Sequence, residues 1–202
     1  MFEEYTFTLA SASPRRRELL KGLDIDFTVE PGKDEREAFS PELPHTEIPA
    51  FLARHKSETF HRELAPKEVL ITADTLVFLD EKILGKPHDE EEAVRMLRRL
   101  SGKTHQVYTA VTFAERKGSQ PSDVSLQTIV DRTDVTFAEL SDEEIHYYVN
   151  QYQPLDKAGA YGVQEWIGYV ACTAMNGSYF NVMGFPTHLV YPVLREKLTA
   201  KG

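Results

Sequence analysis

Val69-Leu70-Ile71-Thr72-Ala73-Asp74-Thr75-Leu76-Val77-Phe78-Leu79 is the run on which the fold turns. Apolar residues and threonines surround a single carboxylate, so the run reads as a central strand buried on both faces. A lone Asp in such a strand is costly unless it is paired, hydrogen-bonded or bound to a metal. An Asp can also cap a bulge or begin a turn. Thr75 places a second polar group directly beside Asp74, and this favours a functional reading.

Working outward towards the N-terminus, Tyr5 to Leu9 is strand-like and leads into Ser11-Ala12-Ser13-Pro14-Arg15-Arg16-Arg17-Glu18-Leu19-Leu20. Ser13 has the chemistry of an N-cap, and Pro14 suits the first helical position. Leu19, Leu20 and Leu23 give the helix an apolar stripe, and Gly22 ends or weakens it. Three arginines in the first turn oppose the helix macrodipole. Their presence is explained if an anion docks where free N–H groups already favour phosphate. Between this helix and the central strand, Phe27 to Glu30 reads as a strand and Pro31-Gly32 as a turn. Lys33 to Glu37 forms a charged loop that contains Asp34-Glu35, and a helix is expected from about Pro49 to Leu64 with Lys56 on it.

Downstream, Asp80-Glu81-Lys82 makes a turn and Ile83 to Pro87 a returning strand, where Gly85 allows close backbone approach and Lys86 supplies a point charge. Asp89 to Leu100 is an amphipathic helix whose Glu90, Glu91 and Glu92 and terminal Arg98-Arg99 match the macrodipole. Strands follow at His105 to Phe113 and Leu126 to Phe137, joined by a polar loop. Ser141 and Glu144 form a capping box that starts a helix through Val149. Asp156-Lys157-Ala158-Gly159-Ala160-Tyr161-Gly162-Val163-Gln164 is rich in small residues and suits close ligand approach. Its Gln side chain donates and accepts at once, as a base edge requires. Trp166 to Thr173 and Tyr179 to Met183 read as strands on either side of an Asn176-Gly177 turn, and Phe185-Pro186 opens a C-terminal helix.

The bulk numbers narrow the classes. The 202 residues suffice for one large domain or two small lobes, and no repeat or linker divides them. A net charge of -9 argues against nucleic-acid binding and confines the arginine cluster to a small, local anion. The same excess of carboxylates suits a divalent cation. Cys172 is the single cysteine, which excludes an internal disulfide and a cysteine-based zinc cluster. No apolar run has membrane-spanning length and no signal-peptide core stands at the N-terminus, so a cytoplasmic protein with no membrane partner is expected.

Six motifs occur in a fixed order: SASPRR at 11–16, DE at 34–35, ADT at 73–75, GKP at 85–87, DKAGAYGVQ at 156–164 and NGSYFNVMGFP at 176–186. In these the chain resembles the Maf proteins, nucleoside triphosphate pyrophosphatases related in fold to the inosine-triphosphate pyrophosphatases. The resemblance covers almost the whole chain, read as one domain over 1–202. It implies an α/β fold: a long, curved mixed sheet flanked by helices, with a cleft between two lobes. It also implies cleavage of the α–β phosphate bond of a nucleoside triphosphate substrate with a divalent metal (magnesium, manganese or cobalt). By motif, Asp74 would activate water and touch metal, and Glu35 would be a second acidic group for metal or water. Ser13, Arg15, Lys56 and Lys86 would hold the triphosphate.

The branch acting on dTTP and UTP resembles this chain in Arg16, Thr75 and Gln164, whereas the 7-methyl-GTP branch differs at all three places. The expected substrates are therefore dTTP and UTP, with modified pyrimidine nucleotides in the same class, as in a house-cleaning enzyme. One departure stands out: the family commonly follows the Gln with Gly, and Glu165-Trp166 stands here. A homodimer is compatible with the resemblance, although no stripe in the sequence requires it. Two rivals belong to other classes. Family members have been linked to septum formation, which would make the chain a nucleotide-binding regulator. A kinase is disfavoured because neither a P-loop nor a kinase glycine loop is present.

Overall fold

The structure, a computed structural model, describes residues 5–32, 39–40, 42–118, 120 and 123–199. Among the described residues, seven strands form one mixed sheet: β1 Thr6–Leu9, β2 Thr28–Val29, β3 Glu68–Leu79, β4 Lys82–Leu84, β5 Thr104–Arg116, β6 Val124–Phe137 and β7 Cys172–Asn176. The order is β2-β1-β3-β5-β6-β7, with β4 added to β3. The α-helices of the described residues are α1 Pro14–Lys21, α2 Ile48–Glu58, α3 Glu90–Leu100, α4 Asp142–Tyr152, α5 Trp166–Ala171, α6 Tyr179–Val182 and α7 Thr187–Thr199. The expected α/β class and mixed sheet are present.

β3 is the strand its composition predicts. Glu68 to Ala73 and Val77 to Leu79 are buried, while Asp74, Thr75 and Leu76 are half-buried. β1 runs parallel to it, with Thr6 opposite Glu68 and Leu9 opposite Ile71, and β2 runs parallel to β1. β4 returns antiparallel after Asp80 and Glu81, both at positive φ (50° and 60°), the geometry of a tight two-residue hairpin turn.

Two compact units share the chain in alternation. One comprises residues 1–74, 109–131 and 184–202, the other residues 75–108 and 132–183. Because each is assembled from separate segments, no linker in the sequence marks them. In the first unit the buried side chains include Phe7, Leu9, Leu20, Ile48, Leu52 and Leu194. Arg62 closes a polar network there, donating to both Glu30 and Glu68, while Thr8 Oγ1 donates to Glu68 at 2.7 Å. In the second unit Leu79, Leu97, Leu100, Phe137, Ile145 and Ile167 belong to one apolar core. α3 packs on α4, and Arg98 pairs with Asp142 at 2.8 Å across them. α4 begins with the expected capping box of Ser141 and Glu144.

Two expected strands are helices. Trp166 to Thr173 carries β-favouring side chains, but its period is four: Ile167 and Ala171 are buried while Tyr169 and Val170 are exposed. The strand that follows, β7, starts only at Cys172 and pairs antiparallel with β6. Tyr179 to Met183 is replaced by the short α6, because Ser178 caps Asn181 N and the buried Asn181 side chain donates to Val107 O and Thr133 Oγ1. Some limits also move. α2 stops at Glu58 rather than Leu64, α1 ends at Lys21 before Leu23, and β4 ends at Leu84 before Gly85 and Lys86.

Candidate active site

In the first unit the start of α1 is built as its sequence suggests. Ser13 is the N-cap, its side chain accepting from Arg16 N, with Pro14 in the first turn. Ser13 and Arg15 are half-buried there. Arg16 turns inward: Nε donates to Gly184 O at 3.0 Å and Nη1 to Ala73 O at 2.9 Å. One guanidinium thus ties the helix start to the residue that precedes Asp74.

Asp74 meets Lys56. The lysine Nζ donates to Asp74 Oδ1 at 2.6 Å, and the two side chains are 32% and 15% exposed. Their meeting depends on how α2 is fastened to β3. Thr72 Oγ1 donates to Ala53 O at 2.6 Å and so accepts from Ser57 Oγ at 2.7 Å. These hydroxyls lie one residue beyond Lys56 and two before Asp74, so they set the distance between the charges. The other carboxylate oxygen, Oδ2, is buried and has no hydrogen-bond partner. A buried carboxylate oxygen without a protein partner is costly, and its chemistry suits a water or a cation.

A single hard oxygen fits a magnesium-like ion, which commonly takes one or two carboxylates and completes its shell with water and substrate phosphates. Among the described residues no cluster of three carboxylate, imidazole or thiol groups converges. Glu35, the other expected acidic residue, lies outside the described residues.

In the second unit Thr75 follows Asp74 and is half-buried, and Lys86 is exposed just after β4. The 156–164 loop packs down on this region. Gly159, at φ 71°, donates its N–H to Gly85 O at 3.0 Å, and a Cβ on it would lie 3.1 Å from the Val77 side chain. Gln164 is half-buried, with a buried Oε1 that lacks a hydrogen-bond partner. Around it lies a network that the sequence does not announce. Lys157, 7% exposed, pairs with Asp156 at 2.7 Å and Glu165 at 3.2 Å. Tyr148 of α4 donates its hydroxyl to Glu165 Oε2 and accepts from Gly162 N at 3.0 Å. Burial, reinforced by the Glu165 carboxylate, pushes the Tyr148 hydroxyl's pKa far up, so it stays a donor. Lys157 and Glu165 are visible in the sequence as an Asp–Lys pair and a departure from the expected glycine. Tyr148 carries no such signal, being one apolar-stripe member of α4.

Comparison with known proteins bears on the chain as a whole. The family model described as Maf-like protein matches residues 6–197. A dTTP/UTP pyrophosphatase of Bacteroides thetaiotaomicron is 46% identical over 194 residues, 96% of this chain and 97% of that protein. One of Porphyromonas gingivalis strain W83 is 48% identical over 196 residues, 96% of this chain and 95% of that protein. A third relative of the same name, from Flavobacterium johnsoniae, is 46% identical over 192 residues, 95% of each.

Proposed function

The chain belongs to the Maf-like protein family, and from that premise we propose that it hydrolyses dTTP and UTP to the monophosphate and pyrophosphate. The named activity of relatives 46–48% identical over nearly the full length supports this. The observation in the chain itself that carries it is Asp74: one oxygen held by Lys56, the other buried and unpartnered. A carboxylate fixed in this way accepts a proton from water, whose oxygen attacks across the α–β anhydride. The bridging P–O bond breaks, pyrophosphate leaves, and the proton rests on Asp74.

Ser13 at the α1 N-terminus and Arg15 face the anion-binding task for which a helix start is suited. Lys86, exposed after β4, would add charge to the triphosphate. Arg16, Thr75 and Gln164 are assigned to selecting the pyrimidine nucleotide, and modified pyrimidine nucleotides fall in the same class. A divalent cation, magnesium or manganese, would be held by Asp74 and Glu35, and when bound it neutralises charge on the phosphate oxygens.

The test is pyrophosphate release from dTTP, UTP, CTP, dATP, GTP and 7-methyl-GTP with magnesium or manganese. Turnover of dTTP and UTP, lost with a chelator and in Asp74→Asn, is the expected result. Turnover of 7-methyl-GTP alone would keep the reaction and overturn the roles given to Arg16, Thr75 and Gln164. Absence of any turnover would favour the nucleotide-binding regulator.

A further inference from the structure

Gln164 and Glu165 lie side by side over Gly162. An added Cβ at Gly162 would stand 2.8 Å from Gln164 Nε2, 2.9 Å from Glu165 Cδ and 3.0 Å from Glu165 Oε2. Both side chains therefore occupy the space that a larger residue would fill, with the amide nitrogen of Gln164 turned towards that space. The Glu165 carboxylate cannot wander. Lys157 holds it from one side at 3.2 Å, and the Tyr148 hydroxyl donates to it from another. The backbone is closed as well, since Glu165 N donates to Gly162 O at 3.0 Å and Gly168 N to Glu165 O at 2.9 Å.

We infer that Glu165 is a positioning residue: its clasped carboxylate dictates which end of the Gln164 amide faces the nucleobase. A carboxylate attracts the amide N–H end and repels the carbonyl end, so the amide settles with Nε2 on the Gly162 side. This leaves Oε1 as the presented group, in agreement with its burial without a hydrogen-bond partner. A buried carbonyl acceptor demands a donor. Uracil and thymine carry an N–H at ring position 3, whereas cytosine has a bare acceptor nitrogen there. Flipping the amide to suit cytosine would set its oxygen against the Glu165 carboxylate. Rejection of cytosine thus arises from an unfavourable contact built in beside the reading group.

This inference rests on the pyrimidine-triphosphatase reading, and the two fail separately in one experiment. Steady-state kinetics on UTP and CTP are measured for the full chain and for Glu165→Ala, Glu165→Gln and Tyr148→Phe. Glu165→Ala is expected to raise KM for UTP about tenfold with kcat within about twofold, and to lower the UTP/CTP ratio of kcat/KM at least about tenfold. Glu165→Gln, whose single carbonyl oxygen can still accept from Tyr148 while its NH2 no longer accepts from Lys157, should recover part of the KM. Tyr148→Phe, the milder change should Glu165→Ala fold poorly, should move the ratio a few-fold in the same direction. Folded Glu165 or Tyr148 variants that slow UTP and CTP equally, or that lose kcat at unchanged KM, overturn the positioning role alone. A wild-type chain that turns over neither UTP nor dTTP overturns the underlying reading, and the positioning role with it.

Discussion

Lys56 and Asp74 show how one contact balances a carboxylate on a largely buried strand. Eighteen positions apart, they meet at 2.6 Å because hydroxyls on neighbouring residues fasten α2 to β3. A lysine on a helix surface is usually solvated decoration, and here it is only 32% exposed. Replacing it by Met keeps the stem and removes the charge that orients the carboxylate. Lys56→Met is therefore expected to lower kcat about 100-fold in pyrophosphate release while the far-ultraviolet circular dichroism stays that of the parent. A rise in KM at constant kcat would instead make Lys56 a simple phosphate contact. Asp74 itself was legible as an isolated carboxylate in a buried run. Lys56 was singled out by the family resemblance as a phosphate contact, and its pairing with Asp74 was not legible.

Among the elements, α5 is where composition and structure part. Trp, Ile, Tyr and Val favour strands, yet the chain turns helical because Gly168 lets it fold back on Val163. A Cβ at Gly168 would stand 1.8 Å from the Val163 carbonyl oxygen, which no side-chain adjustment relieves. Gly168→Ala should cost about 3 kcal/mol or more, read as a lower denaturant midpoint. Gly85 is the counter-case, since a Cβ there meets nothing within 4 Å. Gly85→Ala should stay within about 0.5 kcal/mol of the parent. In α6 the same lesson recurs through a buried Asn181, whose partners Val107 and Thr133 lie on other segments. β3, α3 and α4 needed no such correction. Their signals are a continuous apolar run, charges matched to the dipole and a capping box, all contained within the element.

At the scale of the molecule, acid stability follows from two buried titrating groups. His105 is fully buried, with Nε2 against the Tyr161 hydroxyl at 2.7 Å, and burial lowers its pKa from 6.5 to about 4. The folded state thus refuses a proton that the unfolded chain accepts. Stability from this source is complete above pH 6.5 and is lost as pH falls towards 4, amounting to about 3 kcal/mol. Glu68 acts lower on the scale. The Arg62 hydrogen bonds overcome its burial and, with Thr8 and the Ala65 N–H, hold its pKa near 2 rather than 4.5. Its contribution is present above 4.5 and disappears as pH falls towards 2. Urea midpoints followed from pH 7.5 to 3 should fall in both windows, and His105→Gln should flatten the upper one alone. Elsewhere the described helices are short, and none is long and apolar enough to cross a membrane.

The sequence by itself determined the α/β class, the buried central strand, the capped helix starts, the family and Asp74 as the residue to watch. Each of these is written in neighbouring residues, as a period, a cap or an ordered motif, and needs no knowledge of distant packing. Only the tertiary structure decided that 166–171 and 179–182 are helical, that Lys56 binds Asp74, and that Tyr148 and Lys157 clasp Glu165 beside Gln164. Those outcomes depend on which separate segments share a core. A carboxylate or an amide acquires its orientation from partners that the chain brings together only once the sheet and helices have packed.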